Sequence, residues 1–86
     1  MKLDIVTPEK NVFSGNISLV SVPGAEGSFE VLPNHAPILS LLEEGKIKVI
    51  TEEGQKLFFQ IDSGVIEVKN NKIIILAEKL TGLPSK

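Results

Sequence analysis

The chain's only imidazole is His35, and any search for chemistry starts there because the sequence contains no cysteine. A nucleophile, histidine and acid arrangement would have to join His35 to Ser28 or Ser40 and to a distant acid, and the spacing does not support this. A single histidine also rules out a metal site built on two histidines. We therefore expect neither catalytic residues nor a bound metal ion.

The eleven acidic residues are the other candidates for chemistry. Asp4 and Asp62 are predicted on the outward faces of strands, and the pairs Glu43-Glu44 and Glu52-Glu53 stand beside glycine turns. Acids in such positions are usually solvated surface charge. Neither a phosphate-binding glycine loop nor a dinucleotide fingerprint occurs. We expect no cofactor, no small-molecule substrate and no enzymatic activity of the chain's own.

Length and charge narrow the class of protein further. Eighty-six residues suit a single domain, residues 1–86, held together by apolar burial because there is no cysteine for disulfides. The nine basic residues are all lysine and the net charge is −2, whereas a nucleic-acid-binding protein is expected to carry a basic face with arginine. No apolar run approaches the roughly 18 residues of a membrane span, and Asp4 stands where a signal peptide is apolar. The sequence predicts a soluble, unexported domain with no nucleic-acid partner and no direct membrane insertion.

Alternating apolar residues predict short strands along most of the chain. In KLDIV, Leu3 and Ile5 share one face, and Pro8 follows the strand because proline lacks the amide donor that a sheet needs. In GNISLVSVPG the apolar positions change phase between Leu19 and Val20, which predicts a β-bulge, with burial of both faces as the alternative. The first part of the chain therefore predicts two strands, the second of them irregular.

Two hairpins are predicted in the second half of the chain. Glu53-Gly54 makes the turn between KIKVIT and KLFFQID, whose inner faces are formed by Ile47, Val49, Leu57, Phe59 and Ile61. Asn70-Asn71 joins VIEVK to KIIILA through a two-residue loop, and asparagine tolerates the positive φ of such a turn. In SLLEEGK helix is limited to a turn or two because Gly45 stops it. Many short strands with short connections predict an all-β antiparallel sandwich or barrel.

Six short motifs, in one order along the chain, carry a resemblance to a known family. The chain resembles the N-terminal domain of the epsilon subunit of the F-type ATP synthase, called delta in mitochondria, from Leu3 to about Glu78. The motifs are the first strand with its Thr7-Pro8 break, F-S-G at 13–15, P-G-x-E-G at 23–27, L-P-x-H-A-P at 32–37, G-x-I-x-V at 45–49 and G-x-I-E-V at 64–68.

The resemblance implies a fold and a role. The fold is a flattened antiparallel β-sandwich of about ten short strands with no long helix. The role is that of a non-catalytic rotor subunit of the central stalk, bound to the gamma subunit along one side and to the c ring at one end. Such a subunit is peripheral, at the cytoplasmic face of the inner (plasma) membrane, and supports the coupling of proton flow to ATP synthesis.

The resemblance also implies two sets of contact residues. The c-ring-facing loop consists of Glu26, Gly27, Ser28, Phe29 and Glu30. The gamma-facing residues are Thr7, His35, Ala36, Pro37 and Ser40. From the residues alone, His35 either fixes its own turn by bonding a nearby backbone carbonyl or contacts gamma directly, and the two roles can coexist.

The sequence departs from the family pattern at the tips and at its end. Ser28 stands where an acid is frequent, and Glu30 and Asn34 stand where glycine is frequent. Relatives continue into a helical hairpin, whereas here the ending TGLPSK is interpreted as a frayed stop, so we expect no ATP binding and no inhibition of hydrolysis. The alternative function is a free-standing β-sandwich that binds a small ligand between its sheets, and co-purification with gamma distinguishes the two.

Overall fold

The structure is a computed structural model that describes residues 1–80, and within that range the chain forms eight strands and no helix. The ending TGLPSK lies outside the described residues. The strands are β1 Lys2–Val6, β2 Asn11–Val22, β3 Phe29–Val31, β4 Ile38–Leu42, β5 Gly45–Thr51, β6 Lys56–Ile61, β7 Gly64–Lys69 and β8 Lys72–Ala77.

The strands form two layers that share β2. In the first sheet the order is β4-β7-β8-β1 followed by the N-terminal half of β2, and in the second sheet the C-terminal half of β2 lies between β3 and β5, with β6 beyond β5. The register of β2 against β5 shifts between Ile17 and Leu19. A bulge bends a strand and increases its twist, which lets β2 pass from one sheet to the other. The predicted all-β sandwich and its bulge are confirmed, with eight described strands in place of about ten.

The core lies between the inward faces of the two sheets. Phe59 of the second sheet is 1% exposed and meets the ring of Phe13 edge to face, with 6.0 Å between the ring centroids. The buried apolar residues are Leu3, Ile5, Ile17, Val20, Val22, Val31, Leu42, Ile47, Val49, Phe59, Ile61, Ile66, Val68, Ile73, Ile75 and Ala77.

Both predicted hairpins are confirmed. Asn70 and Asn71 have φ values of 53° and 61°, as a primed two-residue turn requires, and they join β7 to β8. Gly54 has a φ of 90°, and its amide donates to the Thr51 carbonyl at 2.9 Å in the turn between β5 and β6. Turn chemistry therefore sets the register of these two strand pairs.

One strand pairing differs from the expectation, and the segment that was allowed at most a turn or two of helix has none. The pairing of β1 with β8 is parallel, with Leu3 opposite Ile73 and Ile5 opposite Ile75, because these strands are not joined by a short turn and the intervening chain returns the last strand to the side of the first. In SLLEEGK there is no helical turn: Ile38–Leu42 is a strand whose backbone pairs with β7. Pairing with β7 satisfies this backbone and overrides the helix propensity of leucine.

Candidate interaction site

The outer face of the first sheet carries a line of apolar side chains. Leu41 lies opposite Val65, Val65 opposite Leu76, and Leu76 opposite Val6, so the four side chains cross β4, β7, β8 and β1 in one line, which we call the apolar row. Leu41 is 66% exposed and Leu76 is 54% exposed. Aliphatic side chains in contact across four strands form a continuous surface and not a scatter of single residues.

The apolar row lines a groove of about 710 Å³. Thr7 and Pro8 border it at the end of β1, and Ala25 borders it from the loop after β2. In the next line of outward residues, Leu39 is 74% exposed and faces Glu67, which faces Ile74 on β8. This second line therefore also carries apolar side chains, but the Glu67 carboxylate separates Leu39 from Ile74.

The opposite end of the same face is basic. Lys69 lies opposite Lys72 across the β7–β8 turn, and Lys72 lies opposite Lys2 of β1. All three lysines are exposed. The outer face of the first sheet therefore changes along the strands from apolar at the Thr7 end to cationic at the Asn70-Asn71 end.

The predicted c-ring loop forms an exposed tip beside β4. The Ala25 amide donates to the Leu41 carbonyl at 2.9 Å, and the Gly27 amide donates to the Gly24 carbonyl at 3.0 Å. A Cβ on Gly24 would stand 2.5 Å from the Gly27 carbonyl oxygen, so this tight reversal needs glycine. Between Glu26 and Glu30 every residue is exposed except the half-buried Phe29. A groove of about 540 Å³ separates this tip from Ile38–Leu41.

The predicted gamma-facing residues do not form one cluster. Thr7 follows the C-terminal end of β1 and lies beside the 710 Å³ groove, near Ala25. His35, Ala36 and Pro37 lie at the other end, where the Asn34 amide bonds to the Asn71 side chain in the β7–β8 turn. Ser40 lies between the two ends on β4, opposite the buried Ile66, with its hydroxyl 3.2 Å from the Leu41 carbonyl.

His35 makes the hydrogen bond to a nearby backbone carbonyl that the sequence allowed. Its Nδ1 lies 2.8 Å from the Ala36 carbonyl oxygen, which can only accept, so Nδ1 carries the proton and donates. The His35 amide also donates to the Leu32 carbonyl at 3.2 Å. The imidazole therefore helps to fix its own turn, and its Nε2 takes no part in that bond.

The apolar row was not among the predicted site residues. Its signal is nevertheless present in the sequence, because KIIILA is apolar at every position after the lysine, and a strand facing water on one side should alternate. ILSLL likewise places Leu39 and Leu41 on the face opposite the buried Leu42. Apolar residues on both faces of a strand predict that both faces are covered in the assembled protein.

Two structural features are absent from the described residues. Residues 1–80 contain no group of three or more histidine, cysteine, aspartate or glutamate side chains arranged to hold a metal ion. No helix in the same range is long and apolar enough to cross a membrane.

Comparison with known proteins identifies the family. The family described as "ATP synthase, Delta/Epsilon chain, beta-sandwich domain" matches residues 1–82. The chain belongs to this family. It is 47% identical over 78 residues to the ATP synthase epsilon chain of Protochlamydia amoebophila, covering 91% of this chain and 53% of that one. It is 42% identical over 80 residues to the epsilon chain of Chlorobium limicola, covering 93% of this chain and 91% of that one.

Solved structures of ATP synthases contain the same fold. A chain in the structure of the Euglena gracilis mitochondrial ATP synthase, described as OSCP/F1/c-ring, superposes with a TM-score of 0.84 at 20% identity, covering 95% of this chain and 51% of that one. A chain in the Tetrahymena thermophila central stalk/c-ring structure gives 0.75 at 22% identity, covering 93% and 64%. The epsilon-family sandwich is therefore the fold of this chain, which spans about half the length of some relatives and nearly all of others.

Proposed function

We propose that this chain is a non-catalytic subunit of the central stalk of the F-type proton-translocating ATP synthase. In this role it joins the gamma subunit to the c ring and supports the coupling of proton flow to ATP synthesis. The observation that carries the proposal is the apolar row, in which Leu41 and Leu76 are more than half exposed on a sheet whose inward face is already filled. A contiguous exposed apolar surface on a small domain of this family is an interaction surface.

Gamma is the partner proposed for the apolar row and for the edge of the first sheet. β4 is the edge strand of that sheet, and the segment from His35 to Leu41 runs along it from one end to the other. Thr7 supplies a polar rim beside the groove. A permanent interface of this kind buries about 1,200 to 2,000 Å² in total, which requires more surface than a single tip. Apolar burial then supplies most of the affinity.

The c ring is the partner proposed for the tip of Glu26–Glu30. The tip projects beside β4, and its exposed carboxylates meet water on the free chain. Exposed ion pairs contribute about 0 to 1 kcal/mol each, so these charges influence orientation and rate of encounter more than they hold the complex. This arrangement makes the chain a peripheral protein at the cytoplasmic face of the membrane, attached through its partners.

The test is the affinity of the purified chain for gamma, measured with a double variant, Leu41→Gln with Leu76→Gln. Burying one leucine contributes about 1.5 to 3 kcal/mol, so losing two from the contact should weaken binding by about 100-fold or more. Leu19→Gln is the matched control, because Leu19 faces outward on the second sheet opposite Ile50. Thermal unfolding of each variant establishes that it is folded.

Two results would overturn the proposal. One is wild-type chain that fails to bind gamma, and the other is a double variant that binds as tightly as Leu19→Gln. A tip variant, Glu26→Lys with Glu30→Lys, should retain gamma and reduce association of the chain–gamma complex with the c ring. If the tip variant lost binding to gamma and to the c ring equally, the tip would be part of the surface that binds gamma.

A further inference from the structure

The turn at Leu32–His35 leaves its middle amide without a partner inside the turn. The His35 amide donates to the Leu32 carbonyl at 3.2 Å, which closes a four-residue turn. Pro33 is its second residue, and Asn34, its third, has a φ of 67°. Proline at the second position and positive φ at the third are features of a type II turn. Type I and type II turns differ by a flip of the peptide between these two residues, so its N–H points to opposite sides of the turn in the two types.

Asn71 supplies the missing acceptor from another part of the chain. The Asn34 amide donates to Asn71 Oδ1 at 2.9 Å. Asn71 is itself fixed, because it has a φ of 61° in the β7–β8 turn and its carbonyl accepts from the Lys2 amide at 3.3 Å. One side chain thus ties the Leu32–His35 turn to the β7–β8 turn, 37 residues further along the chain.

The local sequence does not choose this turn type by itself. Proline at the second position suits both type I and type II turns, and only type II needs positive φ at the third. Asparagine tolerates positive φ but adopts it less freely than glycine does. Asn71 Oδ1 lies on the side to which the type II peptide directs the Asn34 amide, so this fixed acceptor stabilises the type II form over the type I form.

We infer that Asn71 is a positioning residue that holds the Leu32–His35 turn in its type II conformation and so presents His35, Ala36 and Pro37 in one arrangement for binding. The inference rests on the proposed function for the identity of the partner, gamma, and on the hydrogen bond alone for the conformation of the turn. A turn ordered before binding loses less entropy when it docks.

The conformation is tested on the whole chain in the absence of any partner. Asn71→Gly keeps the positive φ of the β7–β8 turn and removes the acceptor, Asn70→Gly is the matched control one residue away, and Asn71→Asp keeps an acceptor oxygen. Hydrogen exchange at the Asn34 amide should accelerate about two- to tenfold in Asn71→Gly only, the range expected for one net hydrogen bond. The strong Pro33 Hα to Asn34 amide NOE of a type II turn should weaken in the same variant.

Binding to gamma then measures the consequence of positioning. The Kd should rise about two- to tenfold in Asn71→Gly, remain unchanged in Asn70→Gly and recover in Asn71→Asp. Unchanged Asn34 exchange in Asn71→Gly overturns the inference, and so does an equal loss of affinity in Asn70→Gly. If wild-type chain does not bind gamma, the proposed function fails while the exchange result still decides whether Asn71 sets the turn.

Discussion

The two sheets alternate inward and outward side chains in the same way, but their outer faces differ in how far apolar side chains are accompanied by charge. On the first sheet, the apolar row exposes leucine beside a groove. On the second sheet, Lys48 lies opposite Phe58, Lys46 opposite Gln60 and Lys56 opposite Ile50. The Lys46 ammonium stands 5.4 Å from the centroid of the Phe58 ring. Apolar side chains on the second face are thus accompanied by lysines, whereas those of the apolar row are not.

The inward faces do not share this difference, since both are built from buried apolar residues. Leu3 and Ile75 in the first sheet and Ile47 and Val49 in the second are all 0% exposed. Folding is therefore driven by the inward set, and Leu41 and Leu76 of the apolar row contribute little to it because they stay more than half exposed. The contrast separates stability, which resides between the sheets, from binding, which we assign to one outer face.

The largest effect expected is that of Phe59→Ala, which removes the biggest side chain shared by the two layers. Phe59 is 1% exposed, and truncating a buried phenylalanine costs about 3 to 5 kcal/mol, a large part of the stability of so small a domain. Urea denaturation monitored by far-ultraviolet circular dichroism measures the loss.

Phe58→Ala is the matched control, because Phe58 is the neighbouring residue on the opposite face of β6 and is only half-buried. Its loss should cost about 1 kcal/mol. Equal costs at the two positions would contradict the division between a folding face and an outer face.

Turn chemistry and hydrophobic alternation made much of this fold predictable. The Asn70-Asn71 turn, the Glu53-Gly54 turn and the phase change near Leu19 each have a local cause, and each is found where the sequence indicates. The first strand also ends at Val6, just before Thr7-Pro8. These features depend on interactions between residues close together in sequence.

Features decided by distant residues were not predictable in this way. The parallel pairing of β1 with β8 joins the two ends of the described chain, and no local motif encodes it. The strand at Ile38–Leu42 exists because β7 lies beside it. The separation of Thr7 from His35 likewise follows from strand order, since both residues stand in short motifs that give no information about distance. Their assignment to gamma stays a prediction.

A second, smaller effect is expected for Gly64→Ala, which strains the sheet beneath the apolar row. A Cβ at this position would stand 2.6 Å from the Leu76 carbonyl oxygen and 3.3 Å from the Ala77 Cα, both backbone atoms that cannot move without disturbing β8. Overpacking of this kind costs about 1 to 3 kcal/mol. Gly15→Ala is the control, because its nearest neighbour is the end of the Phe13 side chain at 3.3 Å. Thermal unfolding measures the loss of stability in both variants. A loss in Gly15→Ala as large as that in Gly64→Ala would show that the clash with the β8 backbone is not the cause.

The smallest effect expected is that of the contact between Lys46 and the Phe58 ring on the outer face of the second sheet. Lys46 lies diagonally across from Phe58 with its ammonium over the ring, and such a contact at an exposed site contributes about 0.5 to 1 kcal/mol. A double-mutant cycle with Lys46→Met and Phe58→Leu should give a coupling free energy of that size, since methionine keeps the apolar stem and loses the charge. A second double-mutant cycle, with Lys56→Met in place of Lys46→Met, serves as the reference, because Lys56 lies on the same face and pairs with Ile50. If the two cycles give the same coupling, Lys46 does not cover the Phe58 ring in solution. Phe58 would then be apolar surface that Lys46 leaves uncovered, and the contrast between the two outer faces would rest on the arrangement of leucines alone.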